Sequence, residues 1–297
     1  MTMSISKEVA ALLSLVDDPD VDVFHAVKER ILDLGKEMIP SLEDLSEVHP
    51  HPHVQHRVDS IIHKIHFNEL QKSFCEWAAQ DEPDLMYGAF LVSRYKFPDL
   101  IVEDYQTTLD RICKSIWLEL NNYLTPLEQI NVVNRIFYAH HMFRGVEISY
   151  SHQEDFLISK LLDTRRGNPI SNGILYQSVC QKLDIPVRAI HIPRQFILGF
   201  FENPEDVRSQ RIRKPRILFY IDPISGQVYA QKDVDHYLDR IQVSRTPNCF
   251  QPMDNRAIIG FLIEEFSKCF DDEKSRDKQN ELRDLGGMLL EKRDQEG

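Results

Sequence analysis

The sequence has no paired cysteine motif and no long apolar run, and both absences restrict its class. Its five cysteines are odd in number and form no CxxC pair, so we expect free, mostly buried thiols in a reducing cytoplasm. No stretch approaches ~18 consecutive apolar residues, which predicts that the chain does not span a membrane. The opening segment MTMSISKEVAALLSLVDDPD lacks a basic leader and a small-residue cleavage site, so it predicts an amphipathic helix instead of a signal peptide.

Positive charge is also scarce. Lysine and arginine number 35 against 47 acidic residues, which makes the formal net charge −12 at pH 7. Such a chain repels the phosphates of nucleic acids and anionic membrane surfaces, so we expect neither as a partner. The one basic segment, RSQRIRKPR at 208–216, has no interleaved aromatic residue. It predicts a solvated hairpin loop rather than a docking site for RNA or for an acidic partner.

The 297 residues suggest about two domains, and the first hundred show helical periodicity without a catalytic cluster. Val23, Val27 and Ile31 recur at helical spacing. Gly35 follows them as a helix stop. The order helix, D-D-P-D, helix, L-G-x-x-x-I-P-x-L resembles a HEAT-type repeat, which buries its apolar face only by stacking on neighbours. We therefore predict a helical, HEAT-like region at 1–100.

Six histidines cluster in EVHPHPHVQHRVDSIIHKIH at 47–66. His63 and His66 fall on one helix face at i, i+3, a spacing at which two histidines can ligate a metal. No cysteine or acidic residue completes a recognisable ligand set. The favoured interpretation is a Pro-rich turn followed by a polar helix face, so we expect no metal and no other cofactor.

After about residue 150 the pattern changes to helices followed by strands. QEDFLISKLLD at 153–163 predicts a helix. Asn168 is a natural N-cap for the next helix and Pro169 a natural first residue. VRAIHI, QFILGFFE and PRILFYID are rich in β-branched and aromatic residues, and PISG at 223–226 predicts a hairpin turn. A helix on a small antiparallel sheet is an α+β arrangement, and the whole chain is predicted to be α+β and mostly helical.

Four blocks of the sequence resemble a known family. FRG at 143–145, RRGNPISNGILY, IPRQF and YIDPISG are similar to F-x-G-N, R-x-G-I-P-I-S-L-x-x-L-Y, P-G-H-F and I-D-P-F-x-G-G of the bacterial SirB-type proteins. The same transglutaminase-like core occurs in some F-box proteins. The resemblance covers about 85–245 and implies a transglutaminase-like (papain-like) helix-plus-antiparallel-sheet core, placed here at 101–245. Val146 and Gln227 depart from the family blocks.

The resemblance implies a Cys–His–Asp site in which two members are replaced. Catalytic transglutaminase-like proteins carry a cysteine at the helix N-terminus, where the helix dipole and a histidine favour the thiolate. Pro169 stands at the cysteine position here, and Gln195 at the histidine position. Proline offers no nucleophile, and glutamine cannot shuttle a proton near pH 7. Asp222 keeps the residue type of the acid, and we interpret it as the initiator of the turn before Pro223.

Other side chains could in principle supply the missing groups. Ser171 is the nearest hydroxyl, but it needs an adjacent base to react. Cys180 lies deeper in the same helix and is predicted to be a buried packing thiol. His152 and His191 are the histidines that could reach in from elsewhere. If His191 and Gln195 share one strand, they lie about 13 Å apart at ~3.3 Å per residue, too far for simple replacement.

Two hypotheses of function follow. The favoured one is a non-catalytic binding or scaffold protein whose cleft holds a protein or peptide partner. The alternative is a cryptic hydrolase or acyl-transfer enzyme that uses Ser171 or Cys180 as its nucleophile. The candidate cleft residues are Arg165, Arg166, Asn168, Ser171, Gln195 and Asp222.

The last part of the chain, 246–297, is predicted to be a helical extension. SirB-type proteins often continue into tetratricopeptide-like helices at this point, whereas this sequence shows a helical pair. A packing cap and a dimer contact are both compatible with the pattern. The apolar positions of the pair are Ile258, Ile259, Leu262, Ile263, Phe266, Leu282, Leu285 and Leu289.

Overall fold

The computed structural model describes residues 2–202, 216–242, 250–273 and 275–296. The predicted loop at 208–216 therefore lies outside the described residues, apart from Arg216. Within these ranges the α-helices are α1 (Thr2–Ser14), α2 (Val21–Leu34), α3 (Ile39–Val48), α4 (Pro52–Ala78), α5 (Leu85–Lys96), α6 (Glu103–Trp117), α7 (Pro126–Asn134), α8 (Ile158–Thr164), α9 (Pro169–Lys182), α10 (Gln231–Arg240), α11 (Asn255–Ser267) and α12 (Arg276–Glu296). The strands are β1 (Arg144–Gly145), β2 (Arg166–Gly167), β3 (Val187–Ile192), β4 (Gln195–Phe201), β5 (Ile217–Ile221) and β6 (Val228–Tyr229).

The chain divides into two compact units, and Met1–Phe74 is the first. Its helices enclose one apolar core. Asp20 caps α2 by accepting a hydrogen bond from the backbone N–H of Asp22, and Gly35 ends that helix at φ +67°. Glycine adopts this left-handed conformation without steric cost, which confirms the predicted stop. The HEAT-like character of the region stays a prediction. The core residues are Val16, Val27, Ile31, Met38, Leu42, Val54, Val58, Ile61 and Ile65.

The second unit, Cys75–Gly297, is organised around α9. This helix packs against β3 and β4 and against α5, α6 and α8. Its residues from Pro169 to Cys180 are all buried, so the helix is enclosed on every side, whereas the sequence predicted one apolar side. Several of its buried polar side chains bind the backbone: Asn172 Nδ2, for example, donates to the carbonyl oxygen of Gly167 at 3.0 Å.

A four-stranded antiparallel sheet follows α9, in the order β3-β4-β5-β6. Its strands agree closely with the predicted segments, and PISG forms the turn between β5 and β6, as expected. A separate two-residue parallel pairing joins β1 to β2. The fold is thus α+β and mostly helical, as the sequence predicted.

Several helix boundaries differ from the sequence pattern. The predicted helix at 153–163 is interrupted at Leu157, whose backbone is extended; a 3-10 turn precedes it and α8 follows it. The helix that begins at Pro126 continues beyond α7 as a π-helical turn, Arg135–His140. Thr125 and Glu128 form a capping box at the start of α7.

The C-terminal helices α11 and α12 form the predicted pair and pack on each other. The three leucines of α12, at 282, 285 and 289, are 0–2% exposed, so the chain's own core uses them and none is exposed for a dimer contact. The division of the chain at about residues 100 and 245 stays a prediction. Among the described residues, no helix has the length and apolar character needed to cross a membrane.

Candidate functional site

The start of α9 is capped as the sequence predicts. Asn168 Oδ1 accepts hydrogen bonds from the backbone N–H groups of Ile170 at 2.9 Å and Ser171 at 3.0 Å. Pro169 is the first helical residue and has no N–H to satisfy. The position at which the family resemblance would place a cysteine is therefore occupied by proline, which carries no nucleophile, directly after the residue that caps the helix.

Ser171 is buried and donates its hydroxyl hydrogen to the backbone. Its Oγ lies 2.7 Å from the carbonyl oxygen of Asp155. The carboxylate of Asp155 accepts hydrogen bonds from Arg166 Nε at 3.0 Å and Nη2 at 3.1 Å. A hydroxyl that donates to a carbonyl has no base to remove its proton. The contacts of Ser171 are those of a structural residue.

Gln195 begins β4 at the tip of a hairpin, so the assumption that residues 191–195 form one strand is wrong. β3 ends at Ile192, which pairs with Gln195 across the hairpin, and His191 pairs with Phe196. The separation of about 13 Å expected for a single extended strand therefore does not apply. The segments VRAIHI and QFILGFFE are thus two strands, and the turn between them, Pro193 and Arg194, lacks the glycine that usually marks a two-residue hairpin.

Asp222 organises the turn between β5 and β6. Its Oδ1 accepts a hydrogen bond from the backbone N–H of Ile224 at 2.9 Å, and its Oδ2 accepts one from Ser225 Oγ at 3.0 Å. Both carboxylate oxygens serve the turn, as those of a turn-initiating aspartate do.

Three side chains that the sequence analysis missed hold the same turn. Asn134 Nδ2 donates to the carbonyl oxygen of Gly226 at 2.7 Å, and the Tyr138 hydroxyl donates to that of Pro223 at 2.9 Å. The Tyr176 hydroxyl donates to Asn134 Oδ1 at 2.8 Å. The available signal was the i, i+4 spacing of Asn134 and Tyr138, which places both on one helix face. Nothing local indicated that this face meets the turn.

Pro169, Gln195 and Asp222 line one open cavity of about 1830 Å³, which we call the groove. The fold thus brings together the three positions that the family resemblance singled out. Other described parts of its wall come from the segment before α5, the segment after β1, the β3–β4 hairpin and the C-terminal helices with the residues just before them. They include Asp84, Glu147, Tyr150, Arg194, Phe196, Met253, Phe261, Glu264, Arg283 and Gly287.

Of the six predicted cleft residues, the structure places two at the groove. Gln195 is exposed on its wall, and Asp222 lies beside it in the turn. Asn168 and Ser171 are 0–1% exposed and do not line the groove, because their side chains point into hydrogen bonds at the helix start.

The two arginines before α9 also lie away from the groove. Arg166 pairs with Asp155 and lines a separate cavity of about 450 Å³. Arg165 packs its guanidinium carbon 4.9 Å from the centre of the Phe143 ring. The sequence places both arginines close to α9, but the turn between α8 and α9 directs their side chains to other surfaces.

The side chains considered for a cryptic enzyme are separated too. Cys180 is fully buried in α9, and burial raises the pKa of its thiol far above the ordinary value. His152 Nδ1 lies 3.2 Å from the hydroxyl oxygens of Ser149 and Ser151 and lines the smaller cavity with Arg166. In the described parts of the chain, no three His, Cys, Asp or Glu side chains group closely enough to hold a metal.

The described wall of the groove lacks the side chains of a Cys–His or Ser–His site. None of its lining residues within the described ranges is a cysteine, serine, threonine or histidine. Its wall combines carboxylates and arginines with aromatic side chains, and the rings of Phe196 and Phe261 stack there with centroids 5.8 Å apart. This chemistry suits recognition by packing, charge and hydrogen bonding.

Residues 103–263 match the family model described as the transglutaminase-like superfamily. Because the match covers more than half of the chain, the protein belongs to this superfamily. The α+β core around α9, with the family's three site positions on one groove, agrees with this membership. No solved structure matches the chain.

Relatives with curated sequences are distant. A UPF0162 protein of Vibrio cholerae is 26% identical over 183 residues, which is 61% of this chain and 64% of that protein. A UPF0162 protein of Xylella fastidiosa is 27% identical over 115 residues, 38% of this chain and 41% of that protein. Human F-box only protein 21 is 21% identical over 147 residues, 42% and 23% of the two chains. The chain thus matches less than two thirds of each relative. The likeness to an F-box protein is confirmed; the SirB-type name stays a prediction.

Proposed function

We propose that this transglutaminase-like protein is non-catalytic and that its groove binds a segment of a protein or peptide partner. One observation carries the proposal: the groove holds all three positions of the expected site, yet its described wall contains no cysteine, serine, threonine or histidine. A Cys–His–Asp mechanism needs a thiolate and a base at those positions, and proline and glutamine supply neither.

The size of the groove supports a polymeric ligand. Pockets for small molecules occupy about 300–1000 Å³, whereas this open cavity has about 1830 Å³. Half-buried Phe261, stacked on the buried Phe196, offers an apolar contact, and the exposed Arg194 and Gln195 offer hydrogen-bond donors at the hairpin tip. Aromatic and arginine side chains are typical anchors of protein interfaces.

A pair of substitutions at one position tests the proposal. Gly287 lines the groove, and a Cβ added to it meets no atom within 4 Å. Gly287→Trp should obstruct the part of the groove next to this position without straining the helix, and Gly287→Ala should leave the groove open. We expect wild type and Gly287→Ala to capture the same partner from a native extract at near-stoichiometric amounts. Gly287→Trp and Gln195→Arg should lose it.

Circular dichroism shows whether each variant is folded, and binding of the identified partner is then measured with purified proteins. Equal capture by all four forms would place the interaction outside the groove. Turnover of a peptide or ester substrate that Ser171→Ala abolishes would contradict the non-catalytic proposal directly.

Thiol labelling tests the enzyme alternative. Cys180 should not react with a thiol-directed probe in the native protein, because it is fully buried and its raised pKa leaves no thiolate near pH 7. Native wild type and Cys180→Ala should therefore show the same number of fast-reacting thiols. After denaturation, wild type should show one reactive thiol more than Cys180→Ala. A fast-reacting thiol that disappears in Cys180→Ala would favour the enzyme.

A further inference from the structure

A cluster of positive charge lies outside the groove, between α6, the π-helical turn and the end of α8. Arg165 and His141 lie beside the ring of Phe143, His140 adjoins His141, and the charge of Arg111 acts on both His141 and Arg165. The Arg165 guanidinium carbon lies 4.9 Å from the centre of that ring, and the His141 ring lies 6.4 Å from it. The two histidine rings are 5.0 Å apart. Two arginines and two histidines thus lie together in a chain whose formal net charge is −12.

Two nitrogen atoms of this cluster are buried without a hydrogen-bond partner. They are His141 Nε2 and Arg165 Nη1. Native structures almost always provide a partner for a buried polar atom, because its lost hydration is otherwise uncompensated. The remaining part of Arg165 and the side chain of Arg111 reach the surface, so the cluster is open to solvent on one side.

The charges of the cluster are also poorly balanced. Burial lowers the pKa of His141, and His140, Arg165 and Arg111 lower it further. Among the described residues, Asp163 is the one carboxylate whose charge raises the pKa of Arg165. Asp163 also accepts a hydrogen bond from the Tyr105 hydroxyl. A second anion near the guanidinium would offset this repulsion.

We propose that Arg111, His141 and Arg165 form a binding site for a small oxyanion, with phosphate as the best-fitting class. A guanidinium presents parallel N–H donors that match the oxygens of phosphate, and a protonated imidazole adds a further donor. The backbone of Arg165 is held on both sides: its N–H donates to the carbonyl oxygen of Leu161 at 2.9 Å, and its own carbonyl accepts from Arg144 at 2.8 Å. The site is independent of the groove.

Titration of the full chain with inorganic phosphate tests this site. The imidazole signals of His141, followed by NMR against pH, should show a higher pKa when phosphate is bound, because the anion favours the imidazolium. Arg111→Gln and Arg165→Lys should weaken phosphate binding about tenfold, the effect of losing one charge-assisted hydrogen bond. Lys232→Gln removes one exposed positive charge elsewhere and should bind phosphate as wild type does.

Chloride at matched ionic strength controls for screening, and acetate distinguishes a carboxylate site from a phosphate site. Saturable binding of either oxyanion that both arginine variants weaken supports the proposal. The same response to chloride, or unchanged phosphate affinity in folded Arg111→Gln and Arg165→Lys, would overturn it. Arg111 is exposed, so its variant should fold even if Arg165→Lys does not.

Discussion

Gly145→Ala should lower the free energy of unfolding of the second unit by about 3 kcal/mol or more. The added Cβ would lie 2.2 Å from Ile224 Cα and 2.5 Å from its carbonyl oxygen, which is backbone that cannot rotate away. Gly145 also donates its N–H to that carbonyl at 3.2 Å, and β1, to which it belongs, pairs with β2 just before α9. The methyl group would therefore separate the Asp222 turn from the start of the central helix.

Urea unfolding followed by tryptophan fluorescence is suited to this measurement. Both tryptophans, Trp77 and Trp117, belong to the second unit, so the signal reports the unfolding of that unit. Gly287→Ala adds the same methyl group where nothing lies within 4 Å. Alanine is a better helix former than glycine, so this control should gain about 0.5–1 kcal/mol. A Gly145→Ala variant within about 0.5 kcal/mol of wild type would show that the turn does not contact Gly145 this closely.

Asn134→Ala should cost about 2–4 kcal/mol, because it removes two hydrogen bonds and leaves a buried hydroxyl without an acceptor. Asn134 accepts from Tyr176, which is fully buried, and donates to the carbonyl oxygen of Gly226. The loss also frees the turn that carries Asp222 at the groove wall. Partner binding in the groove should weaken together with stability.

A double-mutant cycle separates the two contributions of Asn134. Tyr176→Phe alone should cost about 1 kcal/mol, and the double variant should be more stable than the sum of the single losses predicts, since the orphaned hydroxyl is then absent. Asn131→Ala on the exposed face of α7 is the control and should change stability by no more than about 0.5 kcal/mol. Strictly additive losses would mean that the Tyr176–Asn134 hydrogen bond does not form in solution.

The hairpin at Pro193 has a backbone conformation that its local sequence does not favour. The family block P-G-H-F carries glycine where this chain has Arg194, and Arg194 adopts φ +65°. A non-glycine residue seldom occupies this conformation, and the backbone pairing of Ile192 with Gln195 on either side holds it here. Tertiary pairing of β3 with β4 overrides the local preference and moves Gln195 to the groove wall.

The cleft residues were predicted from the family's site positions and from neighbours of the start of α9, and those that line the groove lie where the backbone turns toward it. Gln195 and Asp222 each lie beside a hairpin turn that faces it. Asn168 precedes α9 and Ser171 lies in its first turn, but their side chains satisfy donors and acceptors at the helix start. Side-chain direction depends on the caps and turns around each residue, which a motif does not specify.

The sequence by itself determined the α+β class, the cap at Asn168, the strands of the sheet and the replacement of the expected cysteine and histidine. These features depend on residue type, short spacing and periodicity, which act within a few residues of the chain. Only the tertiary structure decided that α9 is enclosed on every side, that Asn134 and Tyr138 hold the Asp222 turn, and that Arg165 joins a separate cationic cluster. Such contacts join residues far apart in sequence, and their geometry follows from how whole elements pack.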